Sequence, residues 1–184
     1  MTEVGFLLSG RSILLRDFCV GDVDDALTIV GDDRVTRFLS FDSRTRDQAA
    51  SMISAAIEKA GDEPRSEYYL AISTHDSDRL VGFIRLALSG VQAAKLGYAV
   101  SAENWGRGYA TDAVEVMLNF AFENLKLHRV TAAVGPENDA SLAVVRKLGF
   151  VLEGRLRDHV FTNGSWRDSL LYSILVSEWK PYGS

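Results

Sequence analysis

The stretch "ENWGRGYATDAVEVMLNFAFE", Glu103 to Glu123, sets Gly106 and Gly108 one residue apart just before an amphipathic pattern. Glycine weakens regular structure, so the pair marks either a sharp turn or a backbone that something must approach closely. At a helix start the first amides have no partner within the helix, and the dipole favours negative charge. The chemistry open to such a loop is to hold an anion, most often a phosphate. A mononucleotide loop needs G-x-x-x-x-G-K-[ST], and the chain has no such run. A dinucleotide fingerprint needs G-x-G-x-x-G in an early strand–helix–strand unit, with an acid about 20 residues on. Here "GRGYAT" ends in Thr111, His128 stands at the acid's place, and the loop comes late, after several strand candidates. An oxidoreductase using a nicotinamide nucleotide is therefore an outside reading.

Other reactive side chains are sparse. Cys19 is the single cysteine, which excludes an internal disulfide and a cysteine-rich zinc site. It reads as a small residue near the first strand rather than as a nucleophile. No general base stands out. His128 opens a strand and reads as packing or capping. Asp158 and His159 fall on a C-terminal hairpin, Glu153 on a strand, and Glu103 before the glycine loop, where solvation is the plain reading. Asn138 suits a helix N-cap, with Ser141 in the first turn of that helix.

The elements that must position these residues follow from periodicity. Ser12–Phe18 reads as a first strand, Asp22 as the cap of a helix to about Val30, and Thr45–Ala60 as a second helix broken by 61–65. "EYYLAIS", "RLVGFIRLAL" and "AAKLGYAV" form an antiparallel meander. After the glycine loop, Val114, Met117, Leu118, Ala121, Phe122 and Leu125 make one apolar helix face. Asp112, Glu115, Asn119 and Glu123 are assigned to the other side. "HRVTAAV" returns parallel to the preceding strand, because a helix joins them. Asn138–Leu148 is a helix, and Phe150–Phe161 and Trp166–Val176 form a hairpin around "TNGS". The architecture expected is α+β, a mixed and mostly antiparallel sheet flanked by helices, in one domain over residues 1–184.

Composition bounds the function. Hydrophobic residues make up 47% and charged residues 24%, ordinary for a soluble globular chain. A net charge of −5 argues against nucleic acid as a partner. No apolar run approaches the ~18 residues of a membrane span, and the N-terminus lacks signal-peptide features. A cytoplasmic protein without a membrane partner is expected.

Three motifs in order resemble the GNAT superfamily of acetyltransferases, in its RimJ/RimL-like branch, which acetylates ribosomal-protein N-termini. "WGRGYATDA" is similar to that branch's form of the pyrophosphate loop [Q/R]-x-x-G-x-[G/A], with Trp105 at the first position. "PENDASLAVVRKLGF" resembles its N-x-x-S…K-x-G-F helix, and "LEGRLRDHVFTNGSWRDSLLYSIL" its C-terminal hairpin. The likeness runs from about Ile13 to Trp179. It implies the GNAT fold, acetyl-CoA as co-substrate, no metal, and a primary amine as acceptor. A protein or peptide N-terminus leads, and a small amine such as an antibiotic, polyamine or amino-acid derivative follows. A non-catalytic acyl-CoA sensor on the same fold is the rival of a different class. Dimers are common in relatives, so the resemblance allows a homodimer.

By the same resemblance, Trp105, Gly106, Arg107, Gly108, Tyr109, Ala110 and Thr111 would hold the pyrophosphate, with Arg107 adding positive charge. Tyr98, Ala99 and Val100 would pair with the pantetheine, one amide facing the thioester carbonyl. Asn138 would hydrogen-bond the pantetheine, Ser141 would protonate the departing thiolate, and Lys147, the lysine of K-x-G-F, would join the cofactor site. Tyr98 could equally be core, Arg107 a solvated charge, and Asn138 and Ser141 a helix cap. Two residues depart from the branch: Lys95 replaces an acid and Ala99 a tryptophan. Finally, Asp17, Asp22, Asp24, Asp25, Asp32 and Asp33 lie in a stretch with no basic residue. They read as a solvated helix face or as an acidic lip that attracts a cationic amine.

Overall fold

The fold is that of a computed structural model, which describes residues 5–181. Its strands are β1 (Leu7–Ser9), β2 (Ile13–Arg16), β3 (Glu67–Thr74), β4 (Ser77–Leu88), β5 (Ala93–Val100), β6 (Arg129–Val134), β7 (Val151–Thr162) and β8 (Ser165–Leu175). They form one sheet in the order β1-β2-β3-β4-β5-β6-β8-β7. Every neighbouring pair is antiparallel except β5 and β6. The helices are α1 (Val23–Val30), α2 (Asp33–Thr36), α3 (Arg46–Ala60), α4 (Tyr109–Asn119) and α5 (Asp139–Lys147). The α+β reading and the parallel return through α4 therefore both hold.

The two sheet faces carry separate cores. On one, Val114, Met117 and Leu118 of α4 and Leu142 and Val145 of α5 pack on Leu70, Ile84, Leu86, Val130 and Ile174. On the other, Ala26, Ile29 and Val30 of α1 and Ala49, Ile53 and Ala56 of α3 pack on Ala71, Phe83 and Ala99. Fully burying an aliphatic side chain of this size contributes about 1.5–3 kcal/mol, so both helix layers are anchored mainly by such contacts. No helix among the described residues is long and apolar enough to cross a membrane.

The β5–β6 ladder is short. It runs from Ala93↔Arg129 to Leu96↔Ala132 and stops, while β4 stays paired with β5 to Val100 and β8 with β6 to Val134. Past Leu96 and Ala132 the two strands part, and the edge of Gly97–Val100 that faces β6 has no strand partner. At the far end of β8, Arg167 donates to the carbonyls of Arg37 and Leu39, and the Asn163 amide donates to Asp42 at 2.7 Å. The β7–β8 hairpin is thus strapped across to the segment between α2 and α3.

Several expectations need correction. The first strand is Ile13–Arg16 rather than Ser12–Phe18, and it is preceded by β1. A strand of three residues is too short to show an alternation. Asp22 precedes α1, but its carboxylate makes no cap bond. It instead takes two 2.8 Å hydrogen bonds from Arg16 and one from the Cys19 amide. Asp112 and Glu115 are not on a solvated side of α4; they are 4% and 5% exposed. Asp112 accepts the amides of Arg11 at 3.1 Å and Ser12 at 2.7 Å, and Glu115 pairs with the Arg11 guanidinium at 2.7 Å. These acids clasp the β1–β2 turn. The acidic lip also fails, because arginines from elsewhere in the fold or chain neutralise it: Asp17–Arg65, Asp22–Arg16, Asp24–Arg46, Asp25–Arg79 and Asp32–Arg34 all lie within 2.9 Å.

Candidate functional site

Where β5 and β6 part, a cleft of about 1300 Å³ opens, lined by Lys95–Tyr98, Thr131–Asn138, Ser141, the β7–β8 hairpin and residues 37–40. Three of the residues expected to act together meet in it. The Tyr98 hydroxyl donates to the Ser141 carbonyl at 3.3 Å, and the Asn138 side-chain oxygen accepts the Ser141 amide at 3.1 Å. Asn138 is therefore the N-cap of α5, and that role is compatible with a second one: its side-chain NH2 makes no bond among the described residues. The Ser141 hydroxyl is likewise without a partner there. Burial pushes the Tyr98 hydroxyl up to about 12, so it stays protonated throughout the physiological range.

At the end of β5 the Val100 carbonyl accepts the Trp105 indole at 2.8 Å, which fixes how the chain leaves the strand. Gly106 and Gly108 sit at φ +75° and +80°, a region that side chains rarely adopt, and a Cβ on either would meet nothing within 4 Å. The glycines answer a backbone need, and the space beside them is open. No side chain caps α4, so the amides of Tyr109, Ala110 and Thr111 in its first turn are left without acceptors in the helix. Arg107 is exposed beside them and forms no ion pair among the described residues. The arrangement can bind an extended ligand along the free β5 edge and an anion at the end of it.

The other expected positions divide. The Ala99 side chain is buried in the α1–α3 core, so only its backbone can serve the cleft; the Val100 side chain is buried in the α4–α5 core. Tyr109 and Ala110 pack partly on that same core. Lys147 lies in the exposed last turn of α5, about 9 Å along the axis from Ser141 at 1.5 Å per residue, and outside the cleft lining. His159 lines the cleft with Nδ1 2.9 Å from the Ser169 hydroxyl. Asp158 occupies a bulge at φ +47°, its amide held by Asp168 at 2.9 Å. The Ser173 hydroxyl and then Arg129 hold the Glu153 carboxyl below the usual range, and Glu103 pairs with Arg34 at 2.9 Å. His128 and Cys19 are exposed, and neither lines the cleft.

Sequence reasoning missed Arg37, Arg167 and Thr162, which also line the cleft. Arg37 and Arg167 come together across 130 positions of chain, a distance no local pattern spans. The alternation of β8 does place Arg167, Ser169 and Leu171 on one face, and that signal was readable.

Residues 12–151 match the acetyltransferase (GNAT) domain family. The chain is similar to a probable N-acetyltransferase, YjcK, of Bacillus subtilis, with 32% identity over 92% of this chain and 97% of that one. It also resembles the ribosomal protein uS5-alanine N-acetyltransferase of Escherichia coli, at 26% over 63% of this chain and 61% of that one. Among solved structures, Mycobacterium smegmatis RimJ in complex with CoA-disulfide superposes with a TM-score of 0.82 at 25% identity, covering 95% of this chain and 90% of that one. The chain belongs to the GNAT acetyltransferase family, in its RimJ/RimL-like branch.

Proposed function

We propose that this N-acetyltransferase moves an acetyl group from acetyl-CoA to the α-amine of a protein or peptide N-terminus, by direct attack in a ternary complex. The observation that carries the reading is one continuous path. The unpaired edge of Gly97–Val100 leads into the uncapped N-terminus of α4, and the unpartnered Ser141 hydroxyl stands beside it in the cleft. Acetyl-CoA fits this path as a substrate: the pantetheine amides extend the sheet edge, and the diphosphate meets the amides of residues 106–111 with Arg107 adding charge.

The neutral amine attacks the thioester carbonyl, a C–N bond forms, and the C–S bond breaks. A β5 amide supports the oxyanion as it develops. The amine's proton leaves to water, and the thiolate takes a proton through the Ser141 hydroxyl, which regains one from water in the same step. The Asn138 cap fixes the turn of α5 that presents this hydroxyl.

The proton acceptors in the described lining of the cleft are His159 and the carboxylates of Glu137 and Asp168, residue types that are weak bases. An α-amine has a pKa near 8 and a lysine one near 10.4. Deprotonating them at pH 7.4 costs about 0.8 and 4 kcal/mol, at 1.36 kcal/mol per unit. A site without a strong base is thus suited to the α-amine. The uS5-alanine acetyltransferase among the relatives supports that choice. The test follows CoA release with a thiol reagent, using acetyl-CoA and peptides that begin with Ala, Ser or Met, free lysine, polyamines and aminoglycosides. Release with N-terminal peptides supports the reading. Release only with a small amine moves the acceptor to that class. Acetyl-CoA binding without release from any amine favours a sensor.

A further inference from the structure

The cleft carries a charge that the chain as a whole does not. Its lining includes Arg37, Lys95, Arg129, Arg155 and Arg167, in a chain whose net charge is −5. The lining carboxylates are Glu137 and Asp168. Two of the cations are cancelled: Arg129 pairs with Glu153 at 3.0 Å and Arg155 with Asp168 at 2.6 Å. Three keep their charge. Arg167 is held through Nη1 and Nη2 by the carbonyls of Arg37 and Leu39, its buried Nε has no partner among the described residues, and no carboxylate compensates its unit charge. The Arg37 guanidinium lies 4.4 Å over the Phe38 ring and pairs with no carboxylate among the described residues. The Lys95 ammonium has neither an ion pair nor a hydrogen bond there.

Acetyl-CoA does not account for these charges. Its negative groups are the diphosphate, which the reading above places at the α4 N-terminus, and the ribose 3′-phosphate, which lies beyond the diphosphate from the thioester; its pantetheine and acetyl groups are neutral. Nor do the chain's own acids: five of the six between positions 17 and 33 are committed to arginines. Lys95 lies on the strand face opposite Leu96 and Tyr98, whose side chains pack on the α4–α5 side, and so on the side of the sheet crossed by the strap from Arg167.

We propose that the acceptor is an amine carrying carboxylate close to it, held by Lys95, Arg37 and Arg167. An acidic peptide N-terminus and a free amino acid share this chemistry. The inference rests on the acetyl-transfer reading of the cleft, and charge complementarity of this kind sets specificity and encounter rate more than raw affinity.

The test uses the full chain with acetyl-CoA and peptides identical except at the second and third residues: Ala-Glu-Glu, Ala-Gln-Gln and Ala-Lys-Lys. Free alanine against alaninamide forms the second arm. At low salt, kcat/KM should be about tenfold higher for the acidic than for the lysine peptide, and the gap should shrink in 0.5 M salt, where screening is short-ranged. Lys95→Glu should narrow or reverse the order, and Lys95→Gln should fall between, with melting temperatures confirming that both fold. Preference in the peptide arm only, or in the alanine arm only, identifies the source of the carboxylate. Equal or better turnover of the lysine peptide overturns the proposal and leaves acetyl transfer intact. If nothing turns over, calorimetry of the CoA-loaded protein with the N-acetylated peptides decides. Tighter binding of the acidic one upholds the proposal while acetyl transfer fails, and no charge preference overturns it.

Discussion

Replacing Gly108 by alanine separates two demands on the glycine loop. Gly108 is the N-cap of α4 at φ +80°, and a Cβ there would touch no protein atom within 4 Å. The folding cost is therefore backbone strain alone, about 1–2 kcal/mol for an L-residue in the left-handed region. For a chain of this size that lowers the melting temperature by about 2–8 °C. Gly164, in the β7–β8 turn at φ +72° with equally open space, supplies the control: Gly164→Ala should lose a similar amount. The two variants should differ toward acetyl-CoA. In Gly108→Ala the methyl group projects into the open space where the diphosphate would lie. Displacing even one charge-assisted amide contact there weakens binding tenfold or more, or about 1.4 kcal/mol. Thermal denaturation and calorimetric titration of the three proteins measure both quantities. Equal losses of stability together with wild-type acetyl-CoA affinity for Gly108→Ala would refute the diphosphate assignment.

Ser141→Ala should lower kcat by about a hundredfold, the low end of the range for a lost general acid. Its acetyl-CoA affinity should be nearly unchanged, because the Asn138 cap binds the residue's amide rather than its hydroxyl; pre-steady-state release of CoA checks this. Asp112→Ala should cost about 3 kcal/mol and 6–12 °C in melting temperature, since it orphans the Arg11 and Ser12 amides, without changing KM. Burial alone would raise the Asp22 carboxyl, but Arg16 and the Cys19 amide hold it below the ordinary range. Its stabilisation is therefore present above the unfolded value near 3.9 and lost as pH falls through the folded one. The melting-temperature gap between wild type and Asp22→Asn should be full at pH 6 and close below about pH 4.

What was legible in the sequence was local. The turn at Gly106–Gly108, the cap at Asn138 and the apolar runs of β3, β4 and β5 each depend on residues a few positions apart. So does the α3 start, where Thr45 and Gln48 satisfy each other's amides. What was not legible depended on distant partners. Asp112 and Glu115 fit a solvated pattern on α4 until Arg11 and Ser12 arrive from about a hundred positions upstream. The six early aspartates read as an acidic surface because the stretch itself holds no cation. Their arginines belong to β2, α2, α3, β4 and the segment before β3. Arg16 and Arg34 flank the stretch within six positions of their partners, but Arg46, Arg65 and Arg79 lie 22, 48 and 54 positions from theirs, where no local count reaches; together they reverse the sign of the conclusion about the cleft.

The place of the site follows from topology. Ligands of α/β sheets gather at the carboxyl ends of parallel strands, where crossover helices begin. Among the described residues this sheet has one parallel pair, and so one such place. The crossover from β5 must rise away from the sheet to start α4, which frees the last residues of β5 from β6 and aims the helix N-terminus at the gap. The return of β6 into α5 brings Asn138 and Ser141 to the same gap from the other side. Strand edge and serine hydroxyl share the cleft, and the loop amides follow directly on β5, because each is an end of the same strand–helix–strand unit. The cations do not belong to that unit alone: Arg37 and Arg167 come from the strap between the α2–α3 segment and β8. In the proposed reaction the unit would serve acetyl transfer, and the strap would be the part free to vary with the acceptor.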